Sequence, residues 1–480
     1  MSTRTSRISV LAFSSAINFI IQFLSPILLV RILDIETFGQ YREFYLYVGL
    51  FSSFLNFAIK NNLLYFIPQN PGSEKSLIAN TIVIKLIVVV IGLTVISIFK
   101  DNFISITSFD FFIPLLVYLF ITQNIDFIEI YWLAKKKSGY VLTYSVISII
   151  IRLIIIVTVA YIKRDVMSII YSIIVVEAAR TIFALVYLKY KNLIGFSLNF
   201  NLLKSQLKYV VPLGLVGILI IFNRDISKVI ISANLGASAL AFYSVASHRI
   251  PFINIIRASI SNVIFPDMAE QIKDNKNNAL QLWRKSTVLY LFLIAPLAVL
   301  MFYYAEVIIT TLFTQDYIDA VPIFRIYTIF FLQQAFEMGI PIRAMNKNFN
   351  LLFGHIISAI LNVSLLYLLF NLLGFIGPAI AFVSNEILIS ILFGYIILKL
   401  YKINVSKLYE WEKILYIIIA ISITLPVLFI DNFINANEIL KAVLFSSAYL
   451  ILYLYTLKRF KISEVDRFMN KILLKVKMKW

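Results

Sequence analysis

Apolar runs of about 20 residues, the length that crosses ~30 Å of hydrocarbon at helical rise, recur from one end of the chain to the other. Fourteen runs predict membrane-spanning helices, at 8–30, 43–59, 77–99, 110–133, 140–162, 166–188, 209–231, 238–265, 286–305, 322–342, 349–371, 375–398, 414–430 and 438–457. An even number places both termini on one side. The first run carries Asn18, Gln22 and Pro26, is long enough to span, and lacks a small-residue cleavage site, so it is expected to be span one rather than a cleavable signal. The connections are short, the longest being 189–208 and 266–285. The second of these has Met268, Ile272, Leu280 and Trp283 among charged residues, which fits an amphipathic surface helix or a solvated loop.

The pattern repeats. Leu33 to Tyr41 lines up with Leu235 to Tyr243, each after an outward span, and Ile67-Pro68 matches Phe265-Pro266. Later, Ala134 and Lys137 match Ala344 and Lys347, Ser148 and Arg152 match Ser358 and Asn362, and Val176-Glu177 matches Asn385-Glu386. Six spans is an even number, so both copies enter the membrane in the same direction, as a parallel repeat. The expected fold is an all-α polytopic membrane protein: two parallel six-helix bundles around a central cavity (residues 1–190 and 191–400), then two extra helices and a basic tail (401–480).

Composition agrees: 61% of residues are apolar and 14% charged, against roughly 45–50% and 25% in soluble domains. Mean hydropathy is +0.90. With no cysteine, Cys-ligated zinc, iron–sulfur and thiol chemistry are excluded, and two histidines, His248 and His355, argue against a His-based metal site. No metal or cofactor is expected. The net charge of +18 invites a nucleic-acid reading, which its distribution removes. With the N-terminus cytoplasmic, 29 of the 43 Lys and Arg fall on inner segments and six on outer ones, the bias expected of cytoplasmic loops. Lys135-Lys136-Lys137 and the tail from Lys458 to Lys479 are then cytoplasmic, where they meet anionic membrane lipids.

Charges within spans are costly and mark bundle interiors or aqueous paths. Lys85 and Arg180 can snorkel to the inner surface, Arg325 lies near the outer end, and Glu177 and Arg180 suit an i,i+3 pair. Arg152 sits near mid-span with no charged residue within a turn. Arg249 and Arg257 lie two turns apart on span eight, with Asn254 and Ser261 extending a polar stripe. Arg224 and Lys228 share a face of span seven beside Asp225, and Asn18, Gln22, Asn56 and Lys60 add polarity on spans one and two. A guanidinium fork fits phosphate oxygens, so Arg152, Arg249, Arg257, Arg224, Lys228 and Asn254 are candidates for holding an anionic substrate. The competing reading is internal salt bridging, with Arg152 joined to Glu386 or Glu177. Asp126, Glu337 and Glu386 are candidates for coupling a proton or cation.

Phosphate-binding loops, GxGxxG, HExxH and GxSxG are absent. Asp34-Ile35-Glu36 resembles the acidic pair of lipid-dependent glycosyltransferases, but no large outer loop accompanies it, and its expected role is to end span one. No catalytic residue is expected.

The stretch Arg31-Ile-Leu-Asp-Ile-Glu-Thr-Phe-Gly-Gln-Tyr41, its counterpart Leu235-Gly236 to Tyr243, Leu312-Phe313-Thr314 with Tyr317, Ala320 and Arg325, and Gly374-Phe-Ile-Gly-Pro-Ala-Ile-Ala381 resemble motifs of the Wzx-type oligosaccharide flippase family. That family lies within the multidrug/oligosaccharidyl-lipid/polysaccharide exporter superfamily. Asp34, Ala241 and Thr314 stand where the family has glycine. The resemblance implies a flippase moving undecaprenyl-pyrophosphate-linked oligosaccharide from inner to outer leaflet of the bacterial cytoplasmic membrane by alternating access, for O-antigen, capsule or exopolysaccharide. Polysaccharide polymerase and chain-length machinery are the implied partners. The alternatives are a cation-coupled multidrug exporter and a lipid-dependent glycosyltransferase or polymerase.

Overall fold

The computed structural model describes residues 3–56, 59–70, 72–123, 127–193, 195, 197–248, 250–272, 274–336, 338–460 and 462. Of the residues singled out above, Asp126, Arg249, Glu337 and the tail 463–480 lie outside this set. Among the described residues every regular element is helical. Two compact units divide the chain, Met1–Ser244 and Val245–Trp480.

The first unit holds α1 (Thr3–Leu29), α2 (Ile35–Asn56), α3 (Ile59–Gln69), α4 (Glu74–Ile98), α5 (Lys100–Ile106), α6 (Phe112–Thr122), α7 (Phe127–Ala134), α8 (Ser138–Lys163), α9 (Val166–Tyr190) and nearly all of α10 (Phe200–Ala246). The second holds α11 (Pro251–Gln271), α12 (Lys276–Tyr303), α13 (Ala305–Phe313), α14 (Val321–Gln333), α15 (Gly339–Ala344), α16 (Asn348–Leu373), α17 (Gly377–Tyr401), α18 (Trp411–Thr424), α19 (Pro426–Phe429) and α20 (Glu438–Arg459).

Eight helical stretches among the described residues are long and apolar enough to cross a membrane, one of them, Asn348–Tyr401, being the pair α16–α17. Predicted span two falls in α2 as far as Asn56, span four is covered by α6 and α7 with residues outside the described set between them, and span ten by α14 and α15. Span eight begins in the last turns of α10 and resumes at Pro251. The cause there is local: proline disfavours helical geometry in the residue before it, and Ile250 is extended at φ −82°, ψ 119°. Backbone breaks at membrane depth survive only inside protein or beside water.

The repeat is written in the backbone. Residues of positive φ follow helices at Lys136 and Asn346 (φ 60° and 55°), Arg164 and Gly374 (49° and 56°, with ψ 29° and −129°), and Asn192 and Lys402 (53° and 54°). Each pair is 210 residues apart. The bonds recur too: Lys137 N–H reaches Trp132 O at 2.8 Å and Lys347 N–H reaches Ile342 O at 3.1 Å, the 6→1 bond that ends a helix in a Schellman turn. Between these turns α8 and α16 are both 26 residues long.

The loop 266–285, expected as a surface helix or a solvated loop, is mostly neither. α11 runs to Gln271 and α12 starts at Lys276. Trp283 is buried against Tyr409, ring centroids 5.3 Å apart. α18 to α20 pack on α12 through Leu300, Tyr304, Leu428 and Tyr449. Tyr303 and Tyr304 both donate to the buried Asp431 carboxylate, at 2.7 and 2.9 Å.

Candidate functional site

In the first unit α7, α8 and α9 meet around Ile128, Trp132, Val141 and Ala184. This packing brings four charges into a line. The Glu177 side chain, 1% exposed, is paired with Arg152 of α8 on one oxygen. Arg180 donates to its other oxygen at 2.8 Å and approaches Glu129 of α7 at 3.6 Å. The expected i,i+3 pair therefore forms, and so does the Arg152–Glu177 bridge.

Arg152 also lies within electrostatic reach of Tyr41 and Tyr45 of α2 and Tyr118 of α6. The three tyrosines are stacked edge to face in series, Tyr41 and Tyr45 with ring centroids 5.0 Å apart and Tyr45 and Tyr118 6.4 Å apart. Next to Tyr41 is Arg42, whose guanidinium interacts with Asp225 of α10. Asp225 is buried and shared: Arg224 donates to it from Nε at 2.9 Å, and Lys228 Nζ is 3.5 Å away. The one carboxylate is thus divided between both cations. Arg152, Arg224 and Lys228 thus belong to one unit, linked through Arg42. Five cations (Arg42, Arg152, Arg180, Arg224, Lys228) stand with three carboxylates (Glu129, Glu177, Asp225). The buried Nε–H groups of Arg42, Arg152 and Arg180 meet no acceptor among the described residues. A buried donor without an acceptor costs free energy comparable to a lost hydrogen bond.

Glu43, beside Arg42, is fully buried. It accepts from the Ser108 N–H at 3.1 and 3.2 Å and from the hydroxyls of Ser108 and Ser232. No cationic group is within 4 Å of it among the described residues. Arg42, Glu43 and the three tyrosines are not among the residues that the sequence singles out. The signal available was Tyr41, Tyr45 and Arg42 within two turns of a helix that also carries Glu43.

In the second unit Arg257 and Asn254 lie on α11, both half-buried. The Asn254 amide bonds Ile250 O at 3.4 Å, across the start of the half-helix. Glu386 is half-buried on α17, and Gln333 donates to its backbone O at 3.2 Å and to Ser390 Oγ at 2.7 Å. His248 and His355 stand edge-on to Phe313 and Phe393. Where the first unit has Arg152, the second has the fully buried Asn362, and Asn385, the match of Val176, is fully buried as well and donates to Ser358 at 2.9 Å. Asn18 of α1 donates to Ser145 of α8 at 3.2 Å. Asp34 caps α2, accepting the Thr37 N–H at 2.9 Å and hydroxyl at 2.8 Å. It starts a helix. Among the described residues no three His, Asp or Glu side chains are grouped to bind a metal ion.

Long apolar helices, with no strand among the described residues, and charge buried within the predicted spans belong to a polytopic membrane protein with the fold of the MOP-superfamily transporters. A lipid II flippase MurJ in an inward closed conformation superposes with a TM-score of 0.69 at 16% identity, covering 92% of this chain and 98% of that one. A MOP-superfamily transporter from Pyrococcus furiosus gives 0.59 at 12% identity, over 82% and 95%. An inward-facing multidrug resistance MATE family transporter gives 0.56 at 14% identity, over 82% and 96%. Within that fold, the chain belongs to the polysaccharide biosynthesis protein family, whose model matches residues 28–322. The uncharacterized membrane protein MJ1068 of Methanocaldococcus jannaschii is 30% identical over 330 residues, 64% of this chain; the match spans 60% of that relative's length.

Proposed function

We propose that this protein is a flippase for lipid-linked oligosaccharides, moving undecaprenyl-pyrophosphate-linked repeat units from the inner to the outer leaflet of the bacterial cytoplasmic membrane by alternating access. It serves the synthesis of surface polysaccharide and hands its product to the polymerase and chain-length machinery. The observation that carries the reading is the cationic group in the first unit, with guanidinium N–H groups of Arg42 and Arg152 buried and lacking acceptors. A pyrophosphate supplies the missing acceptors and the negative charge, and the arginine fork bonds it in fixed geometry. The tyrosine series offers hydroxyls and ring faces suited to sugars. The polyprenyl tail stays in the bilayer. An exporter of cationic drugs is disfavoured by the same excess of positive charge. Both termini are cytoplasmic in this reading, and no bond is made or broken.

The test is surface glycan in a deletion strain complemented by wild type or by Arg224→Ala/Lys228→Ala at matched expression. The expected result is at least about a tenfold loss of export, equivalent to ~1.4 kcal/mol, with lipid-linked units accumulating at the cytoplasmic face. Units that reach the outer face but stay unpolymerised would place the protein at a later step.

A further inference from the structure

α10 is longer than a membrane crossing needs. Its apolar, span-length part begins at Gly214, yet the helix starts at Phe200, so about 20 Å of helix precedes the crossing at 1.5 Å per residue. That extension has two faces. Gln206 and Val210 are fully buried. Gln206 donates to Leu77 O and Thr81 Oγ1 of α4 at 3.3 and 3.2 Å, and Val210 packs on Ile84. On the other face Phe200, Lys204, Leu207, Lys208 and Val211 recur at helical spacing, and all are exposed, Phe200 by 75%. Apolar side chains alternating with lysines suit the boundary between acyl chains and headgroups. There the apolar groups enter hydrocarbon and the ammonium groups reach phosphate.

More positive charge is gathered beside this face. Leu77 and Ile78 of α4, Ala134 of α7, Leu188 of α9 and Leu193 form one apolar cluster, with Leu202 of α10 packed on it. Lys75, Lys135, Lys189, Lys191 and Lys204 each lie one or two residues from a member of that cluster. The connection into α10 runs alongside the first turn of α4, where the hydroxyls of Ser76 and Ser197 are 2.7 Å apart. Lys75 lies against Gly195 of this connection: an added Cβ there would stand 2.6 Å from Lys75 Cε and 3.0 Å from its Nζ. Acids are few. Glu74 is paired with Lys135, and the sequence has no Asp or Glu between Glu177 and Asp225. We propose that the exposed face of this extension, with Lys75, seats the anionic headgroup of a glycerophospholipid such as phosphatidylglycerol, its acyl chains lying along Phe200, Leu207 and Val211. Lysines at a membrane surface attract anionic lipid, and salt weakens the attraction. The seat depends neither on the flippase reading nor on which leaflet it faces.

The chain has no cysteine, so a single reporter can be placed without background. A fluorophore on Ser205→Cys, exposed beside Lys204, is compared with one on Ser97→Cys, exposed near the far end of α4. The full-length protein is reconstituted in phosphatidylcholine vesicles containing a small fraction of brominated phosphatidylglycerol or, in parallel, brominated phosphatidylcholine. At Ser205 the anionic lipid should quench at about fivefold lower fraction than the neutral one, the worth of one lysine beside an anionic headgroup. The two lipids should quench alike at Ser97. High salt should erase the preference. Lys75→Gln/Lys204→Gln/Lys208→Gln should abolish it, and the corresponding three changes to Arg should keep it, which separates lost charge from lost structure. A preference absent from wild type, lost in both sets of variants or kept in both would overturn the proposal. Undecaprenyl pyrophosphate that displaces the brominated phosphatidylglycerol at a small fraction of its amount would also overturn it, assigning the seat to the transported lipid instead.

Discussion

Glu177 shows how one buried side chain sets the charge of its surroundings. It holds Arg152 and Arg180 together, so removing Arg152 leaves a carboxylate short of a partner where water is scarce. Arg152→Ala should destabilise the detergent-solubilised protein by roughly 1.5–3 kcal/mol, the worth of a hydrogen bond to a charged group. Arg152→Ala/Glu177→Ala should lose less than the sum of its single changes, as residues in one network do. Thermal unfolding of the four proteins decides it, and strict additivity would show the pair to be idle. Asp34 lies outside the membrane-spanning segments. The Thr37 N–H holds its carboxyl below the usual carboxylate range. A depressed folded-state pKa stabilises above the unfolded value, ~3.9, and the stabilisation is lost as pH falls through the folded one. Asp34→Asn, which still accepts at the cap, should therefore unfold with less acid dependence than wild type. Asp34→Ala should cost about 1 kcal/mol at neutral pH. At this scale the sequence was partly legible. Lone charges in apolar runs stood out, so Arg152, Arg224 and Lys228 were found. Arg42 and Glu43 were not, because an adjacent opposite pair near a helix end looks like surface, and only α10 laid across α2 makes it interior.

Helices and turns carry the repeat more faithfully than side chains do. Three positions of positive φ recur at one spacing, yet the residues filling them differ: Lys136 against Asn346, Arg164 against Gly374, Asn192 against Lys402. Lys402 and Lys136 adopt a conformation that costs an L side chain roughly 1–2 kcal/mol. Lys402→Gly should accordingly hold or raise the unfolding temperature, and Lys402→Val should lower it. Equal losses from both would contradict the backbone argument. One pair of these turns was legible, because Ala134 and Lys137 against Ala344 and Lys347 flank Lys136 and Asn346, and both turns close with a 6→1 bond. The break before Pro251 was not, because hydropathy sums over a window and is blind to one extended residue, Ile250, ahead of a resumed helix.

For the molecule as a whole, composition and span pattern were enough to place the chain among polytopic helical membrane proteins, and the family model and solved folds agree. What the sequence hid was the grouping of its charges. Arg42, Arg152, Arg224 and Lys228 are scattered over almost two hundred residues and converge only when α2, α8 and α10 fold into one unit. The function follows from that convergence if an anion completes it. The decisive measurement is leaflet exchange by the purified protein in sealed proteoliposomes carrying undecaprenyl-pyrophosphate-linked oligosaccharide, with sugars on the outer surface read by a membrane-impermeant reagent. Wild type should move lipid-linked sugar across the bilayer, and Arg224→Ala/Lys228→Ala should slow it by at least about tenfold, ~1.4 kcal/mol of barrier. Folded wild-type protein that leaves the sugars on their original leaflet, under every ion gradient and membrane potential tried, would contradict the account.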